Sequence, residues 1–205
     1  MAKQLAFYYD QSVCTGCKAC QIACKDDNDL EVGVLWRRVV ELNGGNWIKQ
    51  GATWVQNIVT YHLSMSCNHC EDGICLKVCP TGAMHKRDDG IVLIDQDKCI
   101  GCRYCQWACP YDAPQYVDDK GKMSKCDFCY NYIDEGLPPA CVAACPMRAL
   151  DFGELSELQA KYGTVNNIYP MPDPSLTQPA VVITPHPGAM VAAAEGISIG
   201  NAEEM

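Results

Sequence analysis

Sixteen cysteines in a chain of 205 residues, about 8% of the total, constrain this sequence more than any other feature. They fall into four groups of four: Cys14, Cys17, Cys20 and Cys24; Cys67, Cys70, Cys75 and Cys79; Cys99, Cys102, Cys105 and Cys109; Cys126, Cys129, Cys141 and Cys145. The first and third groups, CTGCKACQIAC and CIGCRYCQWACP, share the spacing CxxCxxCxxxC. The second and fourth keep the terminal CxxxC and lengthen the middle gap, and groups two to four end in Cys-Pro. A fourfold repeat of this kind assigns the sulfur to chemistry rather than to packing. Without cysteine the hydrophobic fraction of 48% falls to about 40%, enough for one compact body or two small ones held partly by metal or cross-links.

CxxCxxCxxxC is the bacterial ferredoxin spacing for a cubane iron–sulfur cluster. Three thiolates on a tight loop curl around one face of a cube. The fourth lies three residues further on, where a helix carries it away, and in two-cluster ferredoxins it ligates the other cluster. Clusters therefore come in pairs. Structural zinc is the rival reading for group four, and a zinc-stapled interaction module is the rival for the whole chain. Disulfides fit poorly, because closely spaced cysteines along one loop make a weak cross-linking framework.

Groups two and three flank GIVLIDQDKC, which reads as a strand, so residues 67–119 have the size of a complete two-cluster ferredoxin unit. Groups one and four must then partner each other across it, placing one unit inside a second formed by residues 1–30 and 120–150. The exchange of fourth ligands gives four 4Fe-4S clusters. They are held by Cys14, Cys17, Cys20 and Cys145; by Cys126, Cys129, Cys141 and Cys24; by Cys67, Cys70, Cys75 and Cys109; and by Cys99, Cys102, Cys105 and Cys79. The expected fold is α+β: two nested ferredoxin-like units, a β-hairpin insertion over 31–66 and a C-terminal region over 151–205. LAFYYD reads as a strand with Tyr8 and Tyr9 in the core, a helix starts near Ala19, and the hairpin is read around the turn Asn43-Gly44-Gly45. GELSELQAKYG reads as a short exposed helix ended by Gly163. The proline-rich tail that follows reads as an extended arm lying on another protein, with residues 186–205 equally compatible with disorder.

The formal charge of −9 argues against nucleic acid, which needs a concentrated basic face. Sixteen thiolates and four oxidised cores would take it to about −17. The most apolar stretch, AVVITPHPGAMVAAAEG, is broken by Pro185, His186, Pro187 and Glu195 and falls short of a membrane span. The N-terminus shows no leader pattern, which points to assembly in a reducing compartment. Every group supplies four cysteines, leaving no iron with an exchangeable ligand, and no catalytic signature accompanies them. The expectation is a conductor with no catalytic residue of its own.

CTGCKACQIACKD, SCNHCEDGICLKVCPTGAMHKRDDG, CIGCRYCQWACPYDAPQY, KCDFC and ACPMRALDFG together resemble the electron-transfer (B) subunits of dimethyl sulfoxide reductases, within the complex iron–sulfur molybdoenzyme family. The resemblance covers residues 5–155. It implies a subunit relaying electrons in anaerobic respiration from a quinol-oxidising membrane-anchor subunit to a molybdopterin catalytic subunit that reduces dimethyl sulfoxide or a related S- or N-oxide. It implies a cluster order, from the catalytic partner outward, of the clusters of Cys14, Cys24, Cys67 and Cys99. It further implies a peripheral place on the cell membrane, at the periplasmic face after export in the folded state with a twin-arginine partner, the cytoplasmic face being the alternative. Formate dehydrogenase β subunits usually add a C-terminal membrane helix, and nitrate reductase β subunits carry Trp for one cysteine of the third group. This chain has Cys102 and no such span, which favours the dimethyl sulfoxide reductase type over those two. Polysulfide, tetrathionate and selenate reductase subunits are the near alternatives.

His85, six residues after Cys79 in a charged turn, is the candidate proton acceptor on the quinol side. The basic residues beside the cysteines, Lys18, Lys25, Lys77, Lys98, Arg103 and Lys125, read as solvated surface. Tyr104 and Trp107, in the third loop, read as packing against the cluster rather than as relays, and His62 and His69 receive no role.

Overall fold

The computed structural model describes residues 3–192 and 196–204. In chain order the first elements are β1 (Leu5–Asp10), α1 (Ala19–Asp27), β2 (Arg38–Gly44), β3 (Trp47–Gln50), β4 (Thr53–Gln56) and β5 (Val59–Met65). The middle of the chain forms α2 (Ile74–Lys77), β6 (Met84–Lys86), β7 (Val92–Ile94), α3 (Tyr104–Ala108), β8 (Gln115–Val117) and β9 (Lys122–Ser124). The remainder forms α4 (Tyr130–Asp134), α5 (Ala140–Ala143), β10 (Leu150–Glu154), α6 (Leu155–Tyr162), β11 (Val181–Thr184), α7 (Pro187–Ala192) and β12 (Ser198–Ile199). This is a mixed α/β chain of small sheets joined by cysteine loops.

β1 is the centre of the first sheet. Its alternating sides are both apolar, so all of Leu5 to Tyr9 are buried, as a strand covered on two faces requires. β10 pairs with it antiparallel, Tyr9 opposite Leu150, and β11 pairs parallel, Phe7 opposite Val181. One face packs on Tyr61, Phe128 and Leu150, and the other on Leu155, Leu158 and Val182. α6 is thus half-buried rather than exposed: Leu155 and Leu158, three positions apart, turn one stripe onto β1. Gly163, at φ 97°, ends it as the sequence indicates.

Residues 38–65 form the hairpin, β2 against β5 and β3 against β4. Its reversal falls at Gly51-Ala52, not at Asn43-Gly44-Gly45. The latter marks the break between β2 and β3, where Gly45 sits at φ 84° and any Cβ would meet the carbonyl of Asn57. Two glycines are needed there because the chains approach too closely for a side chain.

The proline-rich tail corrects the expectation of an arm laid on another protein. Thr177 and Gln178 accept bonds from the amides of Asp72 and Glu71 (3.0 and 2.8 Å), and Ala180 N–H donates to the Asn68 carbonyl at 3.1 Å, so this segment straps the second cysteine loop. Val181, Val182 and Ile183 then bury themselves as β11. Prolines 179 and 185 bracket the strand and end it, whereas the β-branched run between them has free amides and pairs with β1. Of residues 186–205, those described form α7 and β12, the latter against β2; residues 193–195 and 205 lie outside the described residues.

Ile183→Ala should lower stability by about 2–5 kcal/mol, because its side chain is enclosed and its removal leaves a cavity. Ile199→Ala, at a half-exposed position, should stay within about 0.5 kcal/mol. Denaturant unfolding of both variants of the iron-loaded chain checks the contrast.

Candidate metal centres

Each cysteine loop depends on one backbone conformation. The residue immediately before the second cysteine is left-handed in all four groups: Gly16 at φ 67°, His69 at 44°, Gly101 at 67° and Phe128 at 66°. Lys18 and Arg103, in the loops of groups one and three, repeat it at 62° and 64°. Such reversals turn successive amides toward the inside of the loop, the arrangement that makes a backbone anion nest. Where another group presses on the loop, glycine occupies the position: a Cβ at Gly16 would strike the His62 imidazole, and one at Gly101 the Gly121 carbonyl. In the other two loops the side chain fills the core instead, His69 edge-on to Phe128 at 5.2 Å.

Two sets of four cysteines line concavities of their own. Cys14, Cys17, Cys20 and Cys145 line one concavity, with about 330 Å³ of space not filled by atoms. Cys79, Cys99, Cys102 and Cys105 line another of about 320 Å³. Cys24 lies within the electrostatic reach of Cys141 and Cys129, and Cys126 within that of Cys24 and Cys141. Cys67, Cys70, Cys75 and Cys109 likewise act on one another. Among the described residues no set of three or more His, Cys, Asp or Glu converges closely enough for a single metal ion.

Amides and cations face these sulfurs. Met84 and Met123 donate N–H bonds to Cys79 and Cys99 Sγ at 3.5 Å, and Ala149 donates to Cys145 Sγ at 3.3 Å. Burial pushes the thiols of Cys24, Cys70 and Cys75 up to about 12, so ionised sulfur there depends on positive iron. Asn68 Nδ2, His69 Nε2 and Arg37 Nε are buried nitrogens without a partner, each within the loops or beside their sulfurs. An electron-rich cluster, when bound, would supply acceptors of the kind they lack.

Several polar residues stand elsewhere than the sequence suggests. Lys125 is buried rather than solvated, its Nζ bonded to the carbonyls of Val92 and Cys126. Lys25 caps the carbonyls of Leu30, Glu31 and Val34. Arg103 is exposed, as read, and stacks over Tyr116 at 3.7 Å. Tyr104 and Trp107 face outward, Trp107 being 73% exposed, rather than enclosing the cluster as read. His69 accepts from Val92 N–H at Nδ1 (3.0 Å), and burial with the nearby Lys125, Lys86 and Arg37 holds it neutral. His62 covers Gly16. His85 is exposed on β6, its Nδ1 3.1 Å from the Ala83 carbonyl, and lines a wide cleft with Ile94 and Met123. Ala83 and Met84 beside it line the Cys79 concavity. Arg37, which the sequence does not single out, lies buried among the outer cysteines.

Sulfur in fours, inward amides and buried cations define an iron–sulfur protein. A family model described as a 4Fe-4S dicluster domain matches residues 58–155. The protein is 54% identical over 186 residues to the B subunit of the anaerobic dimethyl sulfoxide reductase of Escherichia coli, covering 91% of each. It is 51% identical over 204 residues to the B subunit of the same enzyme of Haemophilus influenzae, covering 99% of this sequence and 100% of that one. A formate dehydrogenase iron-sulfur subunit of Wolinella succinogenes is 39% identical over 173 residues, covering 74% and 82%. The chain therefore belongs to the dimethyl sulfoxide reductase iron–sulfur subunit family. It is an electron-transfer protein carrying 4Fe-4S clusters, and its sixteen cysteines fit four.

Gly101→Ala should force the third loop open, since a Cβ there has nowhere to go at φ 67°. Iron should fall by about four atoms per molecule, one cubane. Iron analysis of anaerobically purified protein checks this.

Proposed function

We propose that this chain relays electrons singly through four 4Fe-4S clusters held by two nested ferredoxin-like units, between a quinol-oxidising membrane anchor and a molybdopterin catalytic subunit reducing dimethyl sulfoxide or a related oxide. The observation that carries the reading is that two concavities are each lined by three cysteines of one group and one cysteine of a distant group. Cys145 stands with Cys14, Cys17 and Cys20, and Cys79 with Cys99, Cys102 and Cys105. The proposed ligands are Cys14, Cys17, Cys20 and Cys145; Cys24, Cys126, Cys129 and Cys141; Cys67, Cys70, Cys75 and Cys109; Cys79, Cys99, Cys102 and Cys105. Their order as a wire has support. Cys20 feels Cys141, Cys126 feels Cys67, and Cys75 packs in one apolar cluster with Cys99 and Cys105. Each set adjoins the next.

Each cluster, when bound, accepts and returns one electron. The residues of the chain hold it, exclude water and supply N–H donors to its sulfur. Among the described residues no helix is long and apolar enough to cross a membrane, so attachment at the periplasmic face would run through the anchor. His85 is the proposed proton acceptor at that end. Its exposed ring lies beside the wall of the Cys79 concavity, and an imidazole suits proton uptake near neutral pH.

The assembled protein should be brown, hold about sixteen irons and purify with a molybdopterin protein. Colourless protein with about four zinc ions would instead establish the interaction-module reading. In the complete complex, His85→Gln should slow quinol oxidation and alter its pH profile while leaving dye-driven reduction of the terminal acceptor unchanged. Unaltered quinol kinetics between about pH 6 and 8 would remove the role.

A further inference from the structure

Arg37 is only 2% exposed. A guanidinium buried to this degree is unfavourable unless something of opposite charge offsets it. Among the described residues it makes no ion pair with a carboxylate. Its hydrogen-bond partners are neutral: Nη1 donates to Ser64 Oγ at 3.1 Å and to the Ser64 carbonyl at 3.4 Å, and Nη2 donates to Ser66 Oγ at 2.9 Å. The Phe7 ring lies 4.8 Å away, and Nε has no partner. Hydroxyls fix the fork in place without neutralising it. The compensating charge is sulfur. Ser64 Oγ is itself 3.3 Å from Cys20 Sγ, and the sulfurs of Cys141, Cys126 and Cys24 lie within electrostatic reach of the guanidinium. Cys20 belongs to the first proposed set, and the other three belong to the second.

A cubane with four thiolates carries about −2 when oxidised and gains a further negative charge on reduction. A fixed cation in a water-poor interior therefore favours the reduced form, and screening by salt does little to weaken it. We propose that Arg37 raises the reduction potentials of the two clusters it lies between. This deepens the electron-relay reading and rests on its ligand assignment. Arg37 is a positioning residue of charge: it touches no substrate and acts only through the field it imposes on the wire.

The test is a redox titration followed by electron paramagnetic resonance on the whole complex, with iron counted in every sample. Arg37→Gln should keep about sixteen irons and move at least one of the four waves down. At the wild-type midpoint of that wave, the ratio of reduced to oxidised cluster should fall at least tenfold, or about 59 mV for a one-electron couple. Arg37→Lys, which keeps the charge and loses the fork, should recover most of the shift. A smaller shift in Arg37→Gln, or none of it recovered by lysine, overturns the proposal. Should Arg37→Gln lose iron, Ser66→Asp sets a carboxylate beside Nη2 and must lower the same wave tenfold. A smaller effect, or loss of iron in both variants, would make Arg37 purely structural and overturn the proposal equally. Failure of the underlying reading is visible separately, as a wild-type protein without four clusters.

Discussion

Negative charge on buried sulfur is the quantity around which this fold is arranged. Helices near the cysteines are short, four to nine residues, because their task is to end a loop and carry one sulfur away. The loops do the electrostatic part. Left-handed residues at Gly16, His69, Gly101 and Phe128 turn the loops sharply, the amides of Met84, Met123 and Ala149 meet sulfur, and Arg37 and Lys125 bring full charges where amides offer partial ones. The sheets are small, and β1 with its two neighbours is the one element buried on both faces among the described residues.

The cysteine pattern was legible because three sulfurs of each proposed set come from one group and so are written in local spacing. β1, α1 and the end of α6 at Gly163 were legible for a similar reason, since each is specified by its own residues. What escaped the sequence depends on distant partners. Val181 to Ile183 look the same whether they meet a foreign surface or β1, and only the register with Phe7 to Tyr9 decides it. Arg37 carries no motif, and its importance comes from Ser64 and Ser66, far along the chain. Lys125 beside Cys126 reads as surface because nothing local announces that the Val92 carbonyl will take its ammonium group.

The hairpin shows how the two kinds of information combine. Alternation and β-branching in residues 38–65 specify paired strands, and an Asn-Gly-Gly triplet is an ordinary turn signal. The reversal lies elsewhere because Gly45 is required for close passage of Asn57, a steric demand that looks identical to a turn demand in one dimension. β3 and β4 are exposed on both faces, whereas β2 and β5 bury Val39, Leu42, Tyr61 and Leu63. The base of the hairpin belongs to the core and its tip extends from it.

The pairing of β1 has a consequence for how the chain is made. Its two neighbours, β10 and β11, come from residues 150–154 and 181–184, so the first strand off the ribosome waits unpaired through most of translation. The β6–β7 and β8–β9 hairpins, by contrast, close within a few residues of themselves. Local contacts form early and distant ones late. The middle of the molecule can therefore take shape while the first cysteine loop is still open, and arrival of β10 and β11 becomes the event that closes the sheet beside that loop.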